Sequence, residues 1–213
     1  MRGILLDLWN TLAFTDAEPR PIEALADAFG LRDEPGWRRR IEEAMMTRRL
    51  SGISEGIDAI AQATGRSLAG ATTRRDLVRL WGEASNRNRL FPDARPALEA
   101  LRRPRPGGPL RLGILSNTQS FDLDFLRREG LADEMDAVCL SCDCGLLKPD
   151  PRFYRHAASR LGLPPEAILM VGDSRSDDLE GALAAGMRAL LLDRTGRAPG
   201  AITSLLRIAE LTG

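Results

Sequence analysis

Gly3-Ile4-Leu5-Leu6-Asp7-Leu8-Trp9-Asn10-Thr11-Leu12 is the stretch that decides the fold of this chain. It opens as an apolar run without alternation, the pattern of a strand covered on both faces. Asp7 closes the run. A carboxylate at the mouth of a buried strand is a candidate nucleophile. Chemistry with such a nucleophile commonly wants a second acid two residues on, as proton donor. Trp9 occupies that position and cannot fill the role.

Working outward, four more apolar runs read as strands, at 111–117, 137–141, 168–173 and 189–193, with the first at 3–9. Helical patterns fall at about 93–103, 120–130, 151–162, 176–186 and 200–211. Strands alternating with helices predict an α/β fold with a doubly wound, parallel five-stranded sheet, Rossmann-like in its crossovers. The interval between the first two strands is too long for one crossover. Residues 15–90 carry apolar positions at helical spacing, such as Ile22, Leu25, Ala26 and Phe29, then Ile41, Met45 and Met46. They predict an inserted α-helical cap domain over 15–90, with the α/β core made of 1–14 and 91–213. Arg38-Arg39-Arg40 lies on one cap helix. A solvated face is the favoured reading, and anion binding by one of the three is the lesser one.

The chain has 213 residues, 43% apolar and 28% charged, with 30 basic residues balancing 30 acidic ones. That charge balance offers no field for nucleic acid or an anionic membrane. No apolar stretch reaches the roughly 18 residues of a membrane span. Residues 1–12 do not read as a signal peptide, so a cytoplasmic protein with a small-molecule substrate is expected. Cys139, Cys142 and Cys144 are odd in number and clustered, which fits reduced thiols better than a disulfide framework. A zinc site would have to recruit His156, the one histidine. Of the basic residues, Lys148 alone is lysine. Arginine does not replace lysine where a compact ammonium must fit a tight site.

Ligands of an open parallel sheet bind at the carboxyl ends of its strands. Those ends deliver Asp7, then Ser116-Asn117-Thr118, then Lys148-Pro149-Asp150-Pro151 after the third strand, then Gly172-Asp173-Ser174 with Asp177 and Asp178 following. Several carboxylates crowded together raise one another's pKa unless a cation compensates. Lys148 supplies one charge. A hard divalent ion with oxygen ligands, Mg²⁺ foremost, would supply the rest. A metal clamping phosphoryl oxygens beside a carboxylate nucleophile points to phosphoryl transfer.

These residues resemble the haloacid dehalogenase-like hydrolase superfamily from end to end. Leu5 to Leu12 looks like its first motif, Ser116-Asn117 like its second, Lys148 to Pro151 like its third, and Gly172-Asp173-Ser174 through Asp178 like its fourth. Ala184-Ala185-Gly186-Met187 and the helical insert also fit, and the register favours Asp178 over Asp177 as the last acid. The resemblance implies that Asp7 attacks and forms an aspartyl intermediate, that Thr11 orients its loop, and that Lys148 neutralises nucleophile and substrate charge. Ser116 would bind the transferring group, with Asn10, Asn117 and Lys148 completing the substrate-binding set. Asp7, Asp173, Asp178 and the backbone carbonyl of Trp9 would hold Mg²⁺.

Trp9 is the departure. Most phosphatases of the family carry aspartate there, whereas its dehalogenases often have an aromatic residue, because halide leaves without a proton. Dehalogenases do not depend on Mg²⁺ and depart from the Gly-Asp pattern that Gly172-Asp173 keeps. The leading expectation is therefore a Mg²⁺-dependent phosphatase of a small phosphorylated metabolite. Asp16 and Glu18, just behind the first motif, are candidate replacements for the acid. The alternatives are a 2-haloacid dehalogenase using Asp7, and a catalytically degenerate binding protein. Substrate identity and oligomeric state are left open.

Overall fold

In the computed structural model, which describes residues 1–212, the first apolar run forms strand β1 (Gly3–Leu6), buried throughout. A short strand β2 (Ala13–Thr15) follows, then helices α1 (Pro21–Ala28), α2 (Trp37–Met46), α3 (Ile53–Thr64) and α4 (Arg74–Ser85), and strand β3 (Asn88–Leu90). Next come α5 (Ala94–Arg102), β4 (Arg111–Ser116), α6 (Asp124–Arg128), α7 (Leu131–Glu134), β5 (Ala137–Leu140) and α8 (Ser141–Cys144). The chain ends with α9 (Pro151–Leu161), β6 (Ile168–Gly172), α10 (Gly181–Ala184), β7 (Arg188–Leu191) and α11 (Leu206–Thr212).

Five strands form one sheet in the order β5-β4-β1-β6-β7, every neighbour parallel. The doubly wound α/β architecture is as expected, and each of the five apolar runs supplies its strand. Successive side chains of a strand point to opposite faces, so β1 serves two cores. Ile4 and Leu6 pack with Leu98, Phe125 and Ile208 from α5, α6 and α11. Leu5 packs with Phe153, Ala157 and Ala182 from α9 and α10. Each such fully buried aliphatic side chain contributes about 1.5–3 kcal/mol, which fixes the central strand and the loop it delivers. Leu6 is level with Ile114 on β4 and Val171 on β6, so Asp7 emerges between the ends of both.

Helices α1 to α4 enclose a separate apolar cluster around Leu25, Phe29, Ile41, Met45, Ile60 and Trp81. Thr73 and Asp76 start α4 with a reciprocal capping box. This insert docks onto the α/β layer at several points. Ser120 Oγ accepts from Leu50 N–H (2.8 Å) and donates to Leu50 O (2.7 Å). Arg49 pairs with Asp143 at 2.8 Å, and Trp81 meets Phe121 edge to face.

Three details differ from the sequence reading. Strands β2 and β3 pair antiparallel, with Ala13 opposite Leu90, and form a ribbon at the root of the insert. Three-residue strands carry no readable periodicity. The expected helix at 176–186 begins as a π-helical turn over Arg175–Glu180. The last helix starts at Leu206 rather than near 200, because Ile202 extends beside Leu192 and donates its N–H to Leu191 O.

Candidate active site

The polar residues of the strand ends converge at one rim. Lys148 Nζ lies 2.7 Å from an Asp7 carboxylate oxygen and 2.6 Å from one of Asp178. Lys148 is only 3% exposed and Asp7 6%. Carboxylate oxygens of Asp7, Asp173 and Asp178 all lie within 4.8 Å of one another.

Local chemistry holds each part. The Asp7 N–H donates to Val171 O at 2.9 Å, continuing the sheet one residue past β1. Asn10 then turns the chain with φ 62°, a left-handed conformation that asparagine tolerates better than most residues. Asp150 caps α9 by accepting from Arg152 N–H, with Pro151 at the first helical position. This fixes the loop bearing Lys148. Asp178 Oδ2 accepts from Ser174 N–H at 2.9 Å, and a Cβ on Gly172 would overlap the Asp178 carboxylate. Glycine at 172 is what lets that acid close on the strand end.

The electrostatics follow from burial. Burial pushes the Asp7 carboxyl up to about 7; Lys148 opposes the shift, and Asp178 and Asp173 reinforce it. Asp173 is pushed up to about 6 by burial and by Asp178, against Lys148. Burial works against the Lys148 ammonium, but Asp178 and Asp7 outweigh it and hold its pKa above the ordinary value. Three carboxyls crowd one ammonium, and full ionisation of all three would need a further cation. A set of hard oxygen donors short of positive charge fits Mg²⁺.

The other expected residues are also located. Ser116 is fully buried, and its hydroxyl faces the Asn117 carbonyl at 3.4 Å. Asn117 is expected among the substrate-binding residues, yet both ends of its amide are engaged by the Lys148 backbone. Nδ2 donates to Lys148 O at 3.1 Å, and Oδ1 accepts from Lys148 N–H at 2.8 Å. It positions Lys148. Thr11 Oγ1 is buried and has no hydrogen-bond partner among the described residues. Its carbonyl accepts from Arg194 at 2.8 Å, whose guanidinium is anchored on Asp93 and lies over Phe91. Asp177 stays outside the carboxylate cluster and accepts from Ser176 Oγ at 3.0 Å.

Trp9 is half-buried, its indole N–H committed to Thr118 Oγ1 at 3.0 Å and its ring stacked on Phe125. It forms one wall of a cavity of about 200 Å³ between the motif loops and the insert. Asn10, Asn117, Arg38, Glu42 and Trp81 line it as well. Asp16 does not; it pairs with Arg87 at 2.8 Å on the surface. Glu18 is exposed and also lies outside this cavity. Of the arginine run, Arg40 pairs with Glu34, while Arg39 pairs with Glu43 and donates to Lys148 O at 2.6 Å.

Sequence reasoning missed Tyr154, whose buried hydroxyl donates to Asp177 O and supports the π-helical turn. It named Arg39 only within the arginine run and missed Glu42, for which no motif signals the face turned to the rim. The cysteines are free and stand outside the carboxylate cluster. Burial pushes the Cys139 and Cys142 thiols up to about 12, which marks them as inert packing residues. No helix among the described residues is long and apolar enough to cross a membrane.

Comparison with known proteins supports the same architecture. Phosphatase MT3486 of Mycobacterium tuberculosis is 38% identical over 147 residues, 68% of this chain and 63% of its own length. (S)-2-haloacid dehalogenase 1 of a Pseudomonas species is 28% identical over 92% of this chain and 86% of its own. The chain spans less than two thirds of the phosphatase relatives it matches, and 47% in the case of the phosphoserine phosphatase of Thermus thermophilus. A HAD phosphatase structure from Thermococcus onnurineus superposes over 100% of this chain and 98% of its own, with a TM-score of 0.65 at 24% identity, a likeness of fold. The description of the haloacid dehalogenase-like hydrolases matches residues 1–186, and with the motifs converged on one rim of a parallel sheet the chain belongs to that hydrolase family.

Proposed function

We propose that this hydrolase is a Mg²⁺-dependent phosphatase acting on a small phosphorylated metabolite. The observation that carries the reading is the convergence of the Asp7, Asp173 and Asp178 carboxyls, two of them in contact with the single ammonium of Lys148. Ionised carboxylates at that density, two of the three buried, are costly without a compensating cation. Asp7, Asp173, Asp178 and the Trp9 carbonyl would hold Mg²⁺, which when bound would offset the charge of carboxylates and phosphoryl group.

The chain's own residues account for the rest. Asp7 attacks phosphorus and carries the phosphoryl group as an aspartyl phosphate. Lys148 fixes the orientation of Asp7 through its 2.7 Å contact and neutralises incoming phosphate charge. Ser116 and the N–H groups beyond β4 donate to phosphoryl oxygens, with Asn10 at the mouth of the site. Trp9 gives no proton, because an indole N–H is only a hydrogen-bond donor, and here it donates to Thr118. A cavity of about 200 Å³ suits a metabolite rather than a macromolecular substrate.

The test is the initial rate on an activated aryl phosphate, with Mg²⁺ and then with excess chelator. Turnover that chelator abolishes is the expected result; none in either condition refutes the reading. A second reading, 2-haloacid dehalogenation by Asp7, is favoured by the aromatic Trp9 and by the similarity to (S)-2-haloacid dehalogenase 1. Halide release from a 2-haloacid, indifferent to chelator, would carry that reading instead.

A further inference from the structure

We infer that Glu42, on α2 of the helical insert, is the acid–base residue that serves the leaving group in place of Trp9; the inference rests on the phosphatase reading. Glu42 lines the same cavity as Trp9, Asn10 and Asn117. It therefore shares a cavity with the Trp9–Asn10 part of the loop that carries the nucleophile, while Asp7 itself lies just beyond the lining. Arg39, three residues earlier on the same helix, donates to Lys148 O at 2.6 Å. Residues three apart on a helix are neighbours on one face. The face of α2 that carries Glu42 is thus docked on the residue whose ammonium touches Asp7.

Glu42 also differs from the acids around it. Glu43, the next residue, pairs with Arg39, and Glu34 pairs with Arg40 and Arg66. Glu23 shares the cavity but pairs with Arg32 at 3.3 Å and Arg38 at 3.6 Å. Glu42 alone of these four acids has no ion pair within 4 Å and no side-chain hydrogen bond among the described residues. In a chain with arginine on either side of it, a half-buried carboxyl left unpaired and facing a cavity is available to a ligand. Burial raises its pKa and Asp177 reinforces the shift, against Arg38, Arg39 and Lys148. That is the direction a proton donor near neutral pH requires.

The chemistry balances. An Asp7 oxygen forms its bond to phosphorus as the bond from phosphorus to the leaving oxygen breaks. The electron pair of that bond stays on the leaving oxygen, which takes the Glu42 proton and departs as an alcohol. Glu42, now a carboxylate, then takes a proton from water as the water oxygen bonds to phosphorus. The Asp7–phosphorus bond breaks with its electrons returning to Asp7, and phosphate leaves. Ester and water are consumed, and both carboxyls return to their starting states.

The experiment compares kcat/KM for an alkyl phosphate and for an aryl phosphate with a good leaving group, in the parent, Glu42→Gln and Glu42→Asp, all with Mg²⁺. kcat/KM reports only the steps through phosphorylation of Asp7, so it isolates the acid role. Glu42→Gln is expected to lower the alkyl value by ~10²–10⁴-fold and the aryl value far less. Glu42→Asp should recover part of the alkyl rate. The alkyl profile of the parent should fall on its alkaline side, and Glu42→Gln should lack that limb. The charged groups that face Glu42 are Asp177, Lys148, Arg38 and Arg39, with Glu23 and Arg20 across the cavity. Equal losses for both substrates, or no loss for either, overturn the role of Glu42 and leave the phosphatase reading standing. A parent inert toward both substrates overturns the two together.

Discussion

Replacing Lys148 with methionine tests the electrostatic core of the site. The change keeps an unbranched apolar stem and removes an ammonium on a side chain that is 3% exposed and lies 2.6–2.7 Å from two carboxylates. Breaking a buried ion pair by deleting one partner costs about 3–5 kcal/mol, because the other charge stays buried without compensation. Here the remaining carboxyls can escape by taking up a proton. The Asp7 carboxyl is already raised to about 7 with Lys148 present, and loses its one lowering influence with Lys148 gone. A folded state that binds one more proton than the unfolded state loses about 1.4 kcal/mol of stability per pH unit. The parent stops losing stability near pH 7, whereas the variant continues. The destabilisation should therefore be larger at pH 8 than at pH 5.5, by about 1–3 kcal/mol on the same slope. Denaturant unfolding in excess chelator measures it at both values. Lys148→Arg is the control for volume. It keeps the charge, so any loss, about 1–3 kcal/mol from overpacking, should not vary with pH. A Lys148→Met penalty that is equal at the two pH values, or below about 1 kcal/mol at both, would refute the buried network as the source of the lysine's importance.

Two further outcomes follow from the same geometry. Asp7 and Asp173 have folded-state pKa values of about 7 and about 6 against an ordinary value of 3.8. Their stabilising effect is complete below the unfolded value and is lost as pH rises through 6 and 7, so metal-free protein weakens over that window. Mg²⁺ favours the ionised forms, and its shift of the thermal midpoint should be larger at pH 8 than at pH 5; equal shifts would count against these carboxylates as the metal site. Trp9→Asp in the Glu42→Gln background should raise alkyl-phosphate kcat/KM by at least ~10-fold more than the aryl value. Its cost is roughly 2 kcal/mol for the lost Phe125 stacking and Thr118 hydrogen bond. An equal effect on both substrates would show that position 9 does not face the leaving group.

The legible parts of this chain are those where one physical requirement dominates a short stretch. Strands buried on both faces must be apolar throughout, so Gly3–Leu6 and Ile168–Gly172 stand out without any structure. Their carboxyl ends must be polar to hold a ligand, which isolates Asp7, Ser116, Lys148 and Asp173. Lys148 stands out by composition together with its place in the loop after the third strand, and there a compact ammonium bridges Asp7 and Asp178. Asn117 shows the limit of motif reading. Its amide is consumed by the Lys148 backbone, a partner 31 residues away that no local pattern reveals. Glu42 and Glu43 show it more sharply. They are adjacent, identical residues on one amphipathic helix, and only the docking of α2 decides that one pairs with Arg39 while the other faces the cavity.

An acid supplied by α2 has a consequence that an acid two residues beyond Asp7 would lack. A donor on the motif loop is present whether or not the helical insert is docked. Glu42 is present only when Arg39 reaches the Lys148 carbonyl and Leu50 is held by Ser120. Those same contacts hold the insert against the α/β layer beside the cavity that Trp9 walls. Proton donation then depends on these docking hydrogen bonds, so turnover of substrates with poor leaving groups should be the property most sensitive to how the insert is held. Trp9 fits this arrangement. Fixed by Thr118 and Phe125, it offers α2 a rigid apolar wall to close upon, while the proton arrives from the opposite side.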